Sequence, residues 1–345
     1  MKRRILLLYT GGTIGMTQQA DGLAPTPGLE ERIRELPELA TAFREQAPEI
    51  DIISYDPLLD SSDMTPALWL RIARDIEAQY AAYDGFVVLH GTDTMAHTAS
   101  ALSFFIRSRG KPVVLTGAQL PFSKPRSDAR NNLVSALEVA ARMPEELARV
   151  CVVFGSRILQ GNRVTKVSAQ AYDAFDSPRF PRMGRIGIDV DYDPHLPPIN
   201  NAAPLQGNAE APADGSVALL KLFPGFSAGL IRSVCQSGNL RALVLEAYGA
   251  GNGPGRDTAF LQAVRDAVDS GITVLIVPQP LDGIARMRDY AAGSALIEAG
   301  AISGRDMTTE AALAKLYYLI AHDREGASMR DLLHQPFAGE IMPRP

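Results

Sequence analysis

The first half of the chain repeats one pattern: a short apolar run, a turn rich in glycine and threonine, and then apolar residues at helical spacing. The apolar runs are ILLLY at 5–9, FVVL at 86–89, VVL at 113–115 and VCVVF at 150–154. Each run is apolar on successive residues, which is typical of strands buried on both faces of a parallel sheet. The pattern therefore predicts an α/β fold in which strands alternate with helices.

Three segments between these runs are predicted to be helices that cover the sheet. Thr65 and Pro66 supply an N-cap and a first-turn proline for the first helix. Its apolar residues fall on one face, at Trp69, Ile72, Ala73, Ile76 and Tyr80. The other two helices show the same periodicity, at Met95, Ala99, Leu102 and Phe105 and at Leu133, Val134, Leu137 and Ala141. We interpret these apolar stripes as core rather than as binding surfaces.

The pattern changes after Ser156. Residues 157–167, RILQGNRVTKV, form two short runs on either side of Gln160, Gly161 and Asn162. Short runs separated by a turn that contains glycine and asparagine predict a β-hairpin at this point.

The chain is predicted to contain two α/β domains joined by a linker. Residues 1–190 form the larger N-terminal domain, with a mostly parallel sheet flanked by helices. Residues 191–216 are rich in proline, asparagine, alanine and glycine without periodicity, which is typical of a linker. Strand and helix patterns resume over 217–345, with apolar runs such as VALLKL, ALVLEAY and TVLIVP, and predict a smaller C-terminal α/β domain.

Composition and charge narrow the possible partners of this 345-residue chain. The formal net charge is −5 and no dense run of lysine or arginine occurs, so we expect neither nucleic acid nor a membrane surface as partner. The apolar stretch after Lys2, Arg3 and Arg4 is too short for a secretory signal, and two cysteines make no disulfide framework. Five histidines without ligand spacing do not support zinc. We expect a cytoplasmic protein that acts on a small molecule without a metal.

The candidate chemistry lies at two predicted strand ends, Gly12-Thr13 and Gly91-Thr92. Ligands of open parallel sheets bind beyond the carboxyl ends of the strands, so two threonine hydroxyls face one cleft if these two strands are neighbours. TGGTIG at 10–15 lacks the features of a phosphate loop or a dinucleotide fingerprint, and taken alone it is a common turn. In HGTDT at 90–94, we expect Thr92 and Asp93 in the first turn of a helix, where free N–H groups can hold an anion.

A threonine hydroxyl needs a base before it becomes a useful nucleophile. His90 and His97 are candidates because they lie close to Thr92 in sequence, but nothing in the spacing places an acidic group to orient either ring. A lysine is the other option, and most lysines are solvated surface groups. The residues alone therefore leave the base open.

Five separated motifs together resemble the bacterial type I L-asparaginases, the cytoplasmic branch of the asparaginase/glutaminase family. They are YTGGTIGM at 9–16, DSSDMTP at 60–66, HGTDTM at 90–95, GNRVTK at 161–166 and YGAGN at 248–252. The resemblance runs nearly from end to end and includes GRDMTTEAALAKL at 304–316. Five motifs in the order of the family are specific, whereas any one of them would be weak.

The resemblance implies hydrolysis of L-asparagine to L-aspartate and ammonia without metal or organic cofactor. The family's nucleophile maps to Thr13, and its second threonine, with the lysine and aspartate linked to it, maps to Thr92, Lys166 and Asp93. Substrate-binding positions map to Ser61, Ser62 and Asp93, together with Thr92 and the neighbouring Gly12 and Gly91. The resemblance also implies self-association to a dimer or a tetramer.

The chain departs from the family pattern at two places. Leu23 stands where the family carries a tyrosine that helps to activate the first threonine, so we expect slower turnover or a larger share of the work for Thr92 and Lys166. At an allosteric asparagine site of the type I branch, Glu246 replaces an arginine and Pro280 a cysteine, while Thr165 is retained. Because glutamate reverses the charge offered to a ligand carboxylate, we expect no asparagine-driven cooperativity.

Three alternative functions remain open at this point. The chain could be a glutaminase-asparaginase, since one methylene in a pocket is worth only about 1–3 kcal/mol. It could be the glutaminase subunit of a tRNA-dependent amidotransferase, although such subunits normally carry an additional N-terminal module. It could also be a non-catalytic amino-acid sensor that uses the same cleft, against which the joint retention of Thr13, Thr92, Asp93 and Lys166 argues.

Overall fold

A computed structural model describes residues 2–19, 22–25, 28–37, 48–197, 204–205, 207–323 and 326–342. The chain divides into two compact units, Met1–Pro197 and Pro198–Pro345. Each unit has a sheet of its own with helices packed against it.

The first unit begins with a strand and then alternates strands with helices. Its elements in chain order are β1 (Arg4–Gly11), β2 (Met16–Gln19), β3 (Gly22–Pro25), α1 (Leu29–Arg34), β4 (Glu49–Leu59), α2 (Pro66–Gln79), β5 (Gly85–Leu89), α3 (Met95–Phe105), β6 (Val113–Thr116), α4 (Ala129–Arg142), β7 (Val150–Phe154), β8 (Arg157–Gln160), β9 (Thr165–Lys166), β10 (Phe175–Asp176), β11 (Gly184–Ile186) and β12 (Val190–Tyr192). The large sheet has the order β12-β11-β8-β7-β6-β5-β1-β4, and β9 pairs separately with β10.

The centre of the large sheet is parallel. Strands β4, β1, β5, β6 and β7 pair in parallel, and the four apolar runs of the sequence are β1, β5, β6 and β7. All residues of β5, β6 and β7 are buried, as a strand covered on both faces requires. The predicted α/β fold with a mostly parallel sheet is therefore confirmed. Strands β8, β11 and β12 extend it in antiparallel pairing.

The three predicted helices are α2, α3 and α4. The Thr65 hydroxyl accepts a hydrogen bond from the backbone N–H of Leu68 at 3.4 Å, so it caps α2 as the sequence indicates. Trp69, Ile72 and Ile76 are buried along this helix. Leu133 and Leu137 of α4 share a core with residues of β1, β5, β6 and β7, which fixes α4 against the parallel centre of the sheet.

The hairpin predicted at 157–167 is wrong. Strand β8 forms its hairpin with β7, through Gly155 and Ser156, and β9 pairs with β10 instead. Gly155 has φ 58°, a left-handed conformation that suits a two-residue hairpin turn. Asn162, in the predicted turn, and Arg163, which follows it, are completely buried and are therefore poor candidates for an exposed hairpin loop.

The second unit is a four-stranded parallel sheet with helices. Its elements are β13 (Val217–Lys221), α5 (Ala228–Cys235), β14 (Ala242–Ala247), α6 (Thr258–Asp269), β15 (Thr273–Pro278), α7 (Ala291–Glu298), β16 (Ile302–Ser303), α8 (Thr309–Ala321) and α9 (Gly326–Leu333). The strand order is β13-β14-β15-β16. Leu243, Leu245 and Ile276 share a core with α5, α6 and α7, while α8 contacts β13, β14 and β15.

The predicted linker, 191–216, starts inside the first unit. Asp191 and Tyr192 belong to β12, and residues 198–203 and 206 lie outside the described part of the chain. Among the residues that are described, none of the helices has the length and apolarity needed to cross a membrane.

Candidate active site

Three neighbouring strands of the first unit end at one place with almost no side chain between them. Strand β1 pairs with β4 on one side and β5 on the other, so the loops that follow these strands are adjacent. Gly12 has φ 92°, and a Cβ atom on it would lie 2.6 Å from the Cα of Gly91. A Cβ on Gly91 would in turn lie 2.6 Å from the Cβ of Ser61. Only glycine allows this contact, and the strands that end in Gly12-Thr13 and Gly91-Thr92 are neighbours in the sheet.

Thr13 follows this contact directly. It begins a 3₁₀ turn, Thr13–Gly15, that starts where β1 ends, and its side chain is half-buried. The backbone N–H of Gly15 donates to the carbonyl of Gly12 at 3.3 Å and closes the turn. Among the described residues, the Thr13 hydroxyl has no hydrogen-bond partner, so it is available to a ligand.

Thr92 lies in a compact polar group with Lys166 and Asp93. The Lys166 ammonium donates to the Thr92 Oγ1 at 2.9 Å and to the Asp93 Oδ1 at 2.8 Å. Thr92 is buried, whereas the side chain of Asp93 is 70% exposed and that of Lys166 is 21% exposed. Lys166 reaches this position from β9, far away in sequence, which explains why spacing alone did not select it.

Gln119 belongs to the same group and was missed in the sequence. The Thr92 Oγ1 donates to the Gln119 Oε1 at 3.5 Å, and the Gln119 Nε2 donates to the carbonyl of Ala171 at 3.1 Å. Gln119 follows the carboxyl end of β6, the neighbour of β5. The rule that ligand sites lie beyond these strand ends could have identified it.

A buried carboxylate holds the loop that carries Gln119. Asp128 accepts hydrogen bonds from the backbone N–H groups of Gln119 and Leu120 at 2.9–3.1 Å. Asn132 donates to Asp128 and to the carbonyl of Gly117, each at 3.0 Å, and accepts from the N–H of Gly155 at 3.1 Å. This network ties the ends of β6 and β7 to the start of α4, so Gln119 has a fixed backbone.

Ser61 and Ser62 form the third side of the group. They begin a 3₁₀ turn, Ser61–Asp63, after β4, and Asp60 caps it by accepting from the Ser62 N–H and hydroxyl, both at 2.9 Å. Ser61 is buried against Gly91, and Ser62 is exposed. The Thr94 hydroxyl donates to the Ser61 carbonyl at 2.6 Å and links this turn to the loop after β5.

The expected position of Thr92 and Asp93 within a helix is wrong. Helix α3 begins at Met95 with Thr94 as N-cap, so Thr92 and Asp93 lie in the turn that precedes it. Thr94 makes no side-chain cap hydrogen bond, because its hydroxyl is used on Ser61. The turn therefore presents the side chains of Thr92 and Asp93 rather than a helix N-terminus.

His90 is buried and faces uncharged groups. Its Nδ1 lies 2.7 Å from the Gly91 carbonyl, an acceptor, so this nitrogen carries the proton, and its Nε2 accepts from the Thr98 hydroxyl at 2.9 Å. Burial lowers the pKa of His90 to about 4, so the ring is neutral at pH 7. With both ring nitrogens occupied, His90 supports the backbone of Gly91 and is not placed to take a proton from Thr92. The other candidate, His97, lies within helix α3.

Two departures from the family pattern have different surroundings. Leu23 lies in β3 opposite Gln18, and its side chain is outside the described part of the structure. Glu246, in the second unit, accepts a hydrogen bond from the Thr309 hydroxyl at 2.7 Å and lies 3.6 Å from the Lys221 ammonium. Glu246 is thus held by partners of its own.

The chain matches sequence models of one family along most of its length. The model described as "Asparaginase, N-terminal" matches residues 4–197, and the "Glutaminase/Asparaginase C-terminal domain" matches residues 216–333. L-asparaginase 1 of Escherichia coli K12 is 42% identical over 347 residues, which cover 99% of both chains.

Solved structures agree with these matches. The crystal structure of L-asparaginase I from Vibrio cholerae has a TM-score of 0.86 at 38% identity and covers 99% of this chain and 100% of that one. The thermostable L-asparaginase from Thermococcus kodakarensis has a TM-score of 0.85 at 33% identity, with 99% and 100% covered. Sequence and fold together place this chain in the asparaginase family.

Proposed function

We propose that this chain hydrolyses the side-chain amide of L-asparagine to L-aspartate and ammonia, with Thr13 as nucleophile. The observation that carries the proposal is the Lys166 ammonium, held 2.9 Å from the Thr92 hydroxyl and 2.8 Å from Asp93. Thr92 directly follows Gly91, and Thr13 directly follows Gly12. Both threonines therefore adjoin the contact between the two glycines. The Thr13 hydroxyl, which has no hydrogen-bond partner among the described residues, thus lies across this contact from the Thr92 hydroxyl, whose orientation is fixed.

The reaction divides one high barrier into two lower ones. As the Thr13 oxygen attacks the amide carbon, the Lys166 ammonium gives one proton to the amide nitrogen, which leaves as ammonia. The proton that Thr13 loses passes to the Thr92 oxygen, and the proton that Thr92 gives up restores the Lys166 ammonium. The product of this step is an ester between Thr13 and the aspartyl group. Water then attacks the ester carbon, aspartate leaves, and the Thr13 oxygen regains a proton.

The amino-acid part of the substrate is expected to bind at Asp93, Ser61 and Ser62. One oxygen of the Asp93 carboxylate accepts from Lys166, and the exposed remainder of the group can accept the substrate ammonium. The exposed Ser62 hydroxyl donates to Asp60 at 2.9 Å and has to turn away from it to donate to the substrate carboxylate in a charge-assisted hydrogen bond. The glycines at 12 and 91 leave room for the substrate close to the backbone.

The test is ammonia release from asparagine by the full chain and by four variants. Thr13→Ala and Thr92→Val remove the hydroxyls, and Thr13→Ser and Thr92→Ser are matched controls that keep them. We expect the first pair to lose at least about 10²-fold in kcat, the range of a positioned catalytic group, and the serine variants to retain most activity. Full activity of Thr13→Ala would exclude this nucleophile, and loss in Thr92→Val alone would assign the acyl group to Thr92.

The same assay with glutamine separates the alternatives. A glutaminase-asparaginase would release ammonia from both amides at comparable rates, and a non-catalytic sensor would release it from neither while still binding asparagine in calorimetry. Replacing Leu23 by tyrosine tests the activation of Thr13. The variant restores the side chain that the family uses for this activation, so we expect it to turn over faster than the parent chain. No gain in turnover would show that Thr92 and Lys166 already supply the activation.

We also propose that the chain self-associates to a dimer or a tetramer, which light scattering on the full chain tests directly. A monomer at micromolar concentration would contradict this expectation. The domain limits at 190 and 217 and residence in the cytoplasm stay predictions from the sequence. Limited proteolysis within 191–216 that releases two folded fragments would support the domain limits.

A further inference from the structure

A cavity of about 480 Å³ in the second unit is rich in positive charge. It opens beside β16, and its walls include four arginines, namely Arg286, Arg288, Arg305 and Arg330. Two aspartates, Asp289 and Asp331, and His334 also line it. Four guanidinium groups against two carboxylates leave a formal charge of +2 around one cavity, in a chain whose net charge is −5.

The wall that carries Arg286 and Arg288 is fastened to the sheet. Met287 between them is buried, and a Cβ on Gly293 would lie 2.8 Å from its Cα, so this short segment is packed tightly. The Ser303 hydroxyl donates to the Ala285 carbonyl at 2.7 Å, and the Ala285 N–H donates to the Arg305 carbonyl at 2.9 Å. The segment before Arg286 is therefore fixed to the end of β16.

The parts of the lining that carry Arg305 and Arg330 are fixed as well. Arg305 has φ 56°, and its N–H donates to the Ser303 hydroxyl at 3.1 Å. Arg330, on α9, donates from Nη2 to the carbonyl of Gly300 at 2.8 Å. The backbone of Arg305 and the guanidinium group of Arg330 are thus held at the cavity before any ligand enters, which reduces the entropy lost on binding.

Two of the four arginines have unused donors. Within the described ranges, Arg286 and Arg288 have no side-chain hydrogen bond or ion pair, and neither Asp289 nor Asp331 pairs with them. An exposed arginine is usually just a solvated surface group. Here two such groups share one concave, pre-formed site with Arg305 and Arg330, and that arrangement differs from a solvated surface.

We propose that this cavity binds a small-molecule oxyanion that carries at least two negative charges on phosphate or carboxylate groups. The planar guanidinium group offers paired N–H donors that match both kinds of oxyanion. The net formal charge of +2 around the cavity attracts an anion in proportion to the charge of that anion, so a ligand with several negative charges is favoured. The cavity volume lies within the range of about 300–1,000 Å³ that is usual for small-molecule sites.

Isothermal calorimetry on the full chain tests the proposal with two probes, pyrophosphate and tricarballylate, a tricarboxylate. Acetate at matched ionic strength is the monovalent control. We expect saturable binding of at least one polyanion at one site per chain and none of acetate. Preference for pyrophosphate would point to a phosphorylated ligand, and preference for tricarballylate to a polycarboxylate; both results support the site.

Two double variants locate the binding. Arg286→Gln with Arg288→Gln removes the unpaired guanidinium groups of the cavity, and Arg232→Gln with Arg256→Gln removes two exposed charges of the same unit outside it. We expect the first to weaken polyanion binding at least about tenfold, because hydrogen bonds between charged groups are lost, and the second to leave it within about twofold. Circular dichroism and the thermal midpoint without ligand check that both variants fold.

Three results would overturn the proposal. They are no saturable binding of either polyanion, equal weakening in both double variants, and absence of polyanion binding together with a changed oligomeric state in the first variant. The last result would assign the arginines to a contact between copies. Ammonia release without polyanion is expected to be unchanged in both double variants, so the outcome is independent of the proposed hydrolysis.

Discussion

Lys166 and Lys315 each pair with a carboxylate at a similar distance, 2.8 Å to Asp93 and 2.6 Å to Glu340, in very different surroundings. The pair of Lys315 is completely buried, whereas Asp93 is largely exposed. Lys315 also donates to the carbonyls of Leu333 and Gln335, at 2.9 and 2.6 Å, so all three of its donors are used.

Lys166 uses only two of its three donors on described residues, the Thr92 hydroxyl and the Asp93 carboxylate. A saturated buried pair fixes structure, because any change of partner leaves a charge unpaired in the interior. An unsaturated pair near the surface can exchange partners with a substrate at little cost. The number of unused donors, and not the ion pair as such, distinguishes Lys166, which we propose to be catalytic, from the structural Lys315.

The largest effect that this comparison predicts is on catalysis. Lys166→Met is expected to lower kcat by about 10²–10⁴-fold, the usual contribution of a group that handles protons. The free energy of unfolding should change by less than about 1 kcal/mol, because the pair is partly exposed. Ammonia release and urea unfolding measure the two quantities. Lys221→Met, which separates the exposed Lys221 from Glu246, is the control, and a loss below tenfold for Lys166→Met would contradict the comparison.

Lys315→Met should have the opposite profile. We expect a loss of about 3–5 kcal/mol in the free energy of unfolding, because Glu340 is left buried without its cation. Glu340 also accepts from the N–H groups of Phe337 and Ala338, at 3.2 and 2.9 Å, so the defect reaches the C-terminal segment. The folded variant should release ammonia at the parental rate. Replacing Glu340 by glutamine in the same chain should restore part of the stability, and failure to do so would argue against an unpaired charge as the cause.

His90 shows a third way to bury an ionisable group, which is to keep it neutral. Its pKa is lowered to about 4 in the folded chain from 6.5, so the unfolded chain binds more protons between these values. This contribution to stability should be complete above pH 6.5 and fall by about 3 kcal/mol as the pH drops to 4, because a tenfold difference in proton affinity corresponds to about 1.4 kcal/mol. The contribution is isolated by urea unfolding of the parent and of His90→Asn, in which an amide can still donate to Gly91. A constant difference between the two across this range would contradict the neutral ring.

A smaller effect is expected at Gln119. Gln119→Leu removes the acceptor of the Thr92 hydroxyl, a neutral hydrogen bond worth about 0.5–1.5 kcal/mol, or roughly two- to tenfold in rate. Its length of 3.5 Å places the expectation at the lower end. Steady-state kcat/KM measures it, and Gln119→Glu, which keeps an oxygen acceptor, is the matched variant. Equal rates for the leucine variant and the parent would show that Lys166 alone orients Thr92.

The last expectation is an effect of zero. With Glu246 held by Thr309 and near Lys221, we expect the rate to rise hyperbolically with asparagine concentration. A carboxylate at this position repels a ligand carboxylate. A sigmoidal rate curve would contradict the expectation and would show that asparagine binds cooperatively despite the glutamate at position 246.

The parallel strands were predictable because burial on both faces leaves a direct trace in the sequence. Runs such as FVVL and VCVVF are continuous, and they are β5 and β7. The hairpin at 157–167 failed because the Gly-Asn pair at 161 and 162 resembles a turn, while the true turn is Gly155-Ser156. The residues of a turn are a local signal, whereas the choice between two candidate turns depends on which strands pair. Here β8 pairs with β7, so the turn forms at Gly155-Ser156.

The site was predictable only in part from the residues themselves. Gly12-Thr13 and Gly91-Thr92 each follow a strand of a predicted parallel sheet. The sequence therefore indicates that both lie at the same edge of that sheet. Lys166 could not be found in this way, because it reaches Thr92 from β9, 74 positions along the chain; the family resemblance supplied it. Asp128 was missed because its role depends on distances between loops, which periodicity does not encode, whereas Gln119 could have been found from its position after the end of β6.

The contact of Gly12, Gly91 and Ser61 also restricts how this protein can diverge. Because the backbones after β1 and β5 touch with no Cβ between them, even alanine at position 12 or 91 must push one loop away from the other. Such a shift would move the residues that follow both glycines at once. In a library that samples every residue of the first unit, we therefore expect positions 12 and 91 to tolerate almost no substitution, while exposed Ser62 beside them accepts many folded alternatives. The loops after β1, β4 and β5 can therefore change only together, and sequence variation at this site is expected in the side chains around the contact.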